Sequence, residues 1–168
     1  MAKIPKYLLN LAGEYRICSE LNKRGVFATI TYGNRKGVDV YAISDRQERA
    51  LKIEVKTAQQ GKFVTSITQK GLDKNRTDSP DFWVLFQILP GQNAKFEERF
   101  FILTHEEICG VQKRRNKEWQ KEFFKRHGRR FDIKSMGVDQ VRAKDVESFE
   151  DQWAKIIKRF TNRITPHA

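Results

Sequence analysis

The eight residues Phe82-Trp83-Val84-Leu85-Phe86-Gln87-Ile88-Leu89 carry one polar side chain among them and stop at Pro90-Gly91. A run of that length and character, closed by a turn signal, reads as a strand covered on both faces. Such a strand needs apolar layers above and below it, and the rest of the chain supplies them. Pro5 fits the first turn of a helix, and Leu8, Leu11, Tyr15 and Cys18, with Ile17 and Leu21 alongside, recur at three- and four-residue spacing. Lys23-Arg24-Gly25 closes that helix with cations near its negative end and a glycine for the left-handed cap. Thr104, three residues before Glu107, forms a capping box that opens a second helix. Trp153, Ile156, Ile157 and Phe160 mark a final amphipathic helix expected to pack back onto the sheet.

Further strands are expected at Val26 to Tyr32, Val38 to Ile43, Leu51 to Thr57 and Arg99 to Leu103, with a short one around Phe131 to Lys134. Residues 58 to 80 are polar and poorly periodic. The polar segment Ser44 to Arg49 joins two of the strands as a hairpin. The order α, β, β, β, β, β, α, α is that of an α/β or α+β sheet flanked by helices. At 168 residues, without a repeat, a low-complexity tract or a linker, one domain is expected.

Charge narrows the partners. Lys and Arg number 33 against 21 Asp and Glu, a formal net charge of +12, so a polyanion is the first ligand to consider. Cys18 and Cys109 have no CxxC or Cys/His spacing, which argues against a zinc site or a disulfide framework. The first ten residues contain no apolar signal core, and no run approaches the roughly 18 apolar residues of a membrane span. A soluble cytoplasmic protein without membrane contact is the expectation.

The chemistry concentrates in Gly37-Val38-Asp39-Val40-Tyr41-Ala42-Ile43 and Leu51-Lys52-Ile53-Glu54-Val55-Lys56-Thr57. If the two runs pair as a hairpin, Asp39 comes beside Glu54, Val55 and Lys56. Strand alternation puts Glu54 and Lys56 on one face. Two carboxylates side by side keep their charge most easily around a divalent cation, and hard oxygen ligands suit Mg²⁺ or Mn²⁺. A lysine next to them holds a water or stabilises charge on a reacting phosphate. The bland alternative is a wet sheet face with cross-strand ion pairs. Aspartate inside a β-branched run weighs against that alternative.

This arrangement resembles the PD-(D/E)xK nuclease superfamily, the fold of many restriction enzymes and of archaeal Holliday junction resolvases. It is also similar to small uncharacterised prokaryotic proteins with the same Gly-Val-Asp and Val-Lys-Thr segments. The resemblance covers roughly residues 12 to 104: the helix Ala12 to Leu21 with its Glu14, a strand, Asn34 to Asp39, and Ile53 to Thr57. Val38 stands where the superfamily name has proline. The resemblance implies a mixed central β-sheet flanked by helices, with a core at about 7–104 and a basic helical extension at about 105–168. It implies a Mg²⁺-dependent (or Mn²⁺-dependent) DNA endonuclease of a prokaryotic cell or phage, of resolvase, restriction or mobile-element type. Asp39 and Glu54 would bind metal through their side chains and Val55 through its carbonyl. Lys56 would position the attacking water, and Glu14 would join the site. It further implies a homodimer, because cutting two strands needs two sites.

A nuclease must grip phosphates, and Lys and Arg clusters supply that affinity without reading sequence. Arg35 and Lys36 precede Asp39. From Lys113 to Arg130 nine cations stand against Glu118 and Glu122: Lys113, Arg114, Arg115, Lys117, Lys121, Lys125, Arg126, Arg129 and Arg130. They are assigned to DNA, with RNA as a second polyanion. Thr57, Gln59, Gln60 and Gln69 follow the motif as candidate contacts to phosphate or to the metal's waters, although such residues are ordinary in polar loops. His105 and His127 fit a cap and a basic helix end better than a general base. A non-catalytic basic nucleic-acid-binding protein is the alternative reading.

Overall fold

The computed structural model describes residues 4–31, 38–44, 49–67, 72, 79–91, 95–131 and 139–161. The elements are α1 (Lys6–Lys23), β1 (Phe27–Ile30), β2 (Val40–Ser44), β3 (Arg49–Ala58), β4 (Lys62–Val64), β5 (Phe82–Pro90), β6 (Phe96–Thr104), α2 (His105–His127), β7 (Gln140–Arg142) and α3 (Ala154–Thr161). Two single-turn 3₁₀ segments, Ala143–Asp145 and Glu147–Phe149, lie between β7 and α3. Five strands form a mixed sheet in the order β1-β2-β3-β5-β6. Its β3–β5 pair is parallel and its other pairs are antiparallel.

Residues 82–88 of β5 are buried without interruption, as a strand covered on both faces requires. Phe82, Val84, Phe86 and Ile88 enter one core with Ile17 and Leu21 of α1 and with Trp153 and Ile156 beside and within α3. Trp83 and Leu85 enter a second core with Ile108 and Val111 of α2 and with Phe63 and Val141 of a small β4–β7 sheet. The sheet therefore lies between α1 with α3 on one side and α2 on the other. Thr104 caps α2 in a complete capping box, and Gly128, in the left-handed region at φ 64°, ends it.

Three expectations need correction. In α1 the buried row is Leu9, Gly13, Ile17 and Leu21, spaced by four residues, while Leu8, Leu11 and Tyr15 are exposed. Gly13 causes the shift. A Cβ on it would stand 1.8 Å from Thr57 Oγ1, so the helix lies on β3 at a distance only glycine allows. Next, the polar stretch 58 to 80 contains β4, whose Phe63 is fully buried. A three-residue strand paired with one near residue 141 leaves no periodicity to read. Lastly, β1 is shorter than Val26 to Tyr32, and the strand expected around Phe131 to Lys134 falls almost wholly outside the described residues. Among the described residues no helix is long and apolar enough to cross a membrane.

Candidate active site

Antiparallel pairing of β2 with β3 runs from Ser44↔Arg49 to Val40↔Ile53, and one further step in that register sets Asp39 opposite Glu54. The ladder changes there. Asp39 N–H donates to the Ile53 carbonyl at 3.0 Å, and the Asp39 carbonyl accepts from Thr31 N–H at 2.9 Å. The Asp39 side chain turns onto β3, where its Oδ2 accepts the Val55 N–H at 2.7 Å. An aspartate in this run thus does a main-chain acceptor's work and fixes its carboxylate beside Glu54.

Glu54 is 8 % exposed. Its Oε1 accepts from Lys56 Nζ as an ion pair, and its Oε2 is buried with no hydrogen-bond partner among the described residues. Burial, then the charge of Asp39, pushes the Glu54 carboxyl above its ordinary range, although Lys56 pulls it down. Glu14, half-buried on α1, is raised as well. Burial is the main cause, followed by the charge of Asp39, with Lys56 opposing and Glu54 adding. Three carboxylates and one ammonium therefore share a field: the Asp39, Glu54 and Lys56 of the motif, with Glu14 from α1.

Glu14, Asp39, Val55 and Lys56 line a cleft of about 530 Å³ between α1 and the end of β3. Thr57, Gln59 and Gln60 line it too. Gln59 Oε1 accepts the Ile4 N–H at 3.2 Å, which ties the entry of α1 to the cleft floor. Thr57 Oγ1 is buried against Gly13 without a hydrogen-bond partner among the described residues. Lys6 and Lys62, which sequence reasoning passed over, also border the cleft and are exposed. They lie far apart in sequence and only the fold brings them together. Among the described residues no group of three or more His, Cys, Asp or Glu side chains is arranged to hold a metal ion. The donor set is nonetheless of the right kind, since a buried carboxylate oxygen without a partner is one that a hard cation satisfies.

Arg35, Lys36 and Gln69 lie outside the described residues. Among the α2 cations, Lys113, Arg114, Lys117, Lys121, Lys125 and Arg126 are exposed, as are Arg129 and Arg130 just beyond the helix. None of them lines the cleft. Arg115 is turned inward, with Nε 3.1 Å from Asp145 and a second, longer pair to Glu118 at 3.4 Å. It joins α2 to the 3₁₀ segment after β7 instead of facing a ligand. His105 Nδ1 accepts the indole N–H of Trp83 at 3.1 Å, and His127 rests on the Phe123 ring at 4.3 Å. Trp83 itself had no local signal. Its ring lies under Lys56, 5.9 Å from Nζ, because parallel pairing sets Trp83 beside Glu54.

Neither a comparison with protein-family profiles nor one with curated protein sequences returns a match. Among solved structures, the bacterial homing endonuclease I-Ssp6803I is similar over 93 % of this chain and 95 % of its own, with a TM-score of 0.55 and 12 % sequence identity. At that identity the likeness is one of fold: like that endonuclease, the chain folds as a mixed sheet between helices.

Proposed function

We propose that this protein is a divalent-metal-dependent DNA endonuclease of the PD-(D/E)xK type that hydrolyses phosphodiester bonds. The observation that carries the reading is the Asp39 side chain held on β3 beside Glu54, with Asp39 and Lys56 lining the cleft and one Glu54 oxygen buried without a partner among the described residues. The nuclease-like fold supports it. Asp39, Glu54 and the Val55 carbonyl would hold Mg²⁺ or Mn²⁺, which when bound supplies Lewis-acid stabilisation of the charge growing on the phosphate oxygens.

The chain's own groups do the rest. Lys6 and Lys62 hold the phosphate backbone at the cleft rim. Lys56, drawn off Glu54 when that carboxylate is engaged, donates a hydrogen bond that orients the attacking water. The water oxygen forms a bond to phosphorus while one bridging P–O bond breaks, and the departing oxygen takes up a proton. Glu14, whose pKa burial has raised, is suited to receive the proton that the water gives up. The exposed cations from Lys113 to Arg130 extend the electrostatic footprint to the other side of the sheet. The whole chain is one unit in this reading, a core at about 7–104 with a basic extension, acting in the cytoplasm of a prokaryote or for a phage.

A homodimer belongs to the same proposal. Tyr7, Leu8, Leu11 and Tyr15 are exposed on α1, and the exposed positions of that helix between Tyr7 and Asn22 carry no charge. A second copy of a +12 chain covers such a face without bringing like charges together.

The test is a cleavage panel of single-stranded, duplex and branched DNA, with RNA as control, in Mg²⁺, Mn²⁺ or EDTA. Cutting that needs the metal and falls at least about 10²-fold in Lys56→Ala, with DNA affinity kept, is the expected result. Equal rates for wild type and Lys56→Ala overturn it. One observation favours a second reading, a non-catalytic nucleic-acid-binding protein: Lys56 already neutralises Glu54, as in an ordinary sheet ion pair. That reading requires salt-sensitive DNA binding unchanged by EDTA and by Asp39→Asn.

A further inference from the structure

Among the described residues the Lys56 ammonium has an ion-pair partner and an aromatic neighbour. The first is Glu54. The other is the Trp83 ring, whose centroid is 5.9 Å from Nζ, inside the roughly 6 Å over which an indole face attracts a cation. Trp83 is fixed from behind. It is 5 % exposed, and its Nε1–H donates to His105 Nδ1 at 3.1 Å. The other nitrogen of that imidazole lies 3.5 Å from Cys109 Sγ. Burial lowers the His105 pKa and so favours the neutral ring, which has an acceptor nitrogen to offer the indole. His105 is the first residue of α2, in the turn that the Thr104–Glu107 capping box holds. A row of contacts thus runs from the second core to the cleft: Cys109, His105, Trp83, Lys56.

The proposed reaction gives this row a purpose. Asp39 and Glu54 would hold the divalent ion, and the Lys56 ammonium would then give up its share of the Glu54 carboxylate. Released from Glu54, a four-carbon side chain spreads over its rotamers and loses the geometry that water activation needs. We propose that Trp83 is a positioning residue for Lys56, holding the ammonium over the cleft through its indole face when Glu54 is engaged by the cation. The inference rests on the endonuclease reading above and names a residue that reading does not require.

A double-mutant cycle on cleavage tests it, using Trp83→Leu, Trp83→Phe, Lys56→Ala and the Trp83→Leu/Lys56→Ala pair. Trp83→Leu is expected to lower kcat about tenfold, the size of a partly desolvated cation–π contact, with KM and DNA affinity in EDTA unchanged. Trp83→Phe keeps an aromatic face and should stay within about threefold of wild type. In the Lys56→Ala background, Trp83→Leu should have no further effect. An equal loss with and without Lys56, or a Trp83→Phe as damaged as Trp83→Leu, makes Trp83 a packing residue only and overturns the proposal. Trp83 is buried, so a second measurement on the wild-type protein guards against variants that do not fold. The ε-methylene protons of Lys56 should show an upfield ring-current shift in NMR that persists on adding Mg²⁺. Its disappearance with Mg²⁺ overturns the proposal as well. A wild-type protein that never cleaves DNA in either metal refutes the endonuclease reading itself, whereas cleavage without Trp83–Lys56 coupling refutes only this inference.

Discussion

Glu54→Gln separates two opposing roles of one carboxylate. The residue is 8 % exposed and one of its oxygens is buried without a partner among the described residues, so its ionised form is costly to keep in the fold. Burial raises its pKa above the unfolded value, with Asp39 adding and Lys56 opposing. The folded state then binds the proton more tightly than the unfolded state. Its contribution to stability is complete below the unfolded pKa and is lost as pH rises through the raised folded value. Above that raised value the wild type has lost it, while the uncharged isostere has nothing to lose. In EDTA, Glu54→Gln is therefore expected to match the wild type or exceed it by about 1–3 kcal/mol, the cost of an unsatisfied buried group. Mn²⁺ shifts the balance toward the wild type. A cation bound only by the folded state, at about 100 times its Kd, contributes about 2.7 kcal/mol. For a chain of 168 residues this is a rise of roughly 5–10 °C in Tm, absent from the Gln variant. Scanning calorimetry of both proteins in EDTA and in Mn²⁺ reads all four values. A Gln variant clearly less stable than wild type in EDTA means that the Lys56 pair outweighs burial, and equal gains in Mn²⁺ remove Glu54 from the ligand set.

Gly13→Ala gains about 1 kcal/mol of helix propensity but drives a methyl into Thr57 at a cost of about 1–3 kcal/mol, so a net loss of up to about 2 kcal/mol in urea unfolding is expected, partly restored by Thr57→Ala. Arg115→Ala and Lys121→Ala should behave oppositely. The first lowers stability by breaking the Asp145 contact, and the second leaves stability unchanged but reduces the salt dependence of DNA binding by about one counterion. Leu11→Lys places a charge on the uncharged face of α1 and should shift sedimentation toward monomer with an unchanged circular dichroism spectrum; a wild type that is monomeric at every concentration refutes the dimer.

What the sequence discloses here is whatever depends on neighbours along the chain. The alternation of Val40 and Ala42, and of Leu51, Ile53 and Val55, identifies two strands, and a hairpin between them brings Asp39 to Glu54 by counting alone. The Thr104–Glu107 cap is equally local. Where reading by pattern fails, packing has replaced hydrophobicity as the determinant. Gly13 has no apolar side chain to announce that it sits on the buried row of α1, and Leu8, Leu11 and Tyr15 advertise a face that the fold leaves in solvent. β4 is too short to show a period, and its partner lies past α2. The same limit applies inside the site. Asp39, Glu54 and Lys56 come from one hairpin, but the depth at which Glu54 is buried is set by the parallel neighbour β5, which puts Trp83 beside it. That crossover, unreadable from any window of the chain, turns an ordinary strand Glu-x-Lys into a carboxylate with an unmet oxygen and a lysine with a second resting place. The motif names the groups, and the long-range pairing gives them unequal environments.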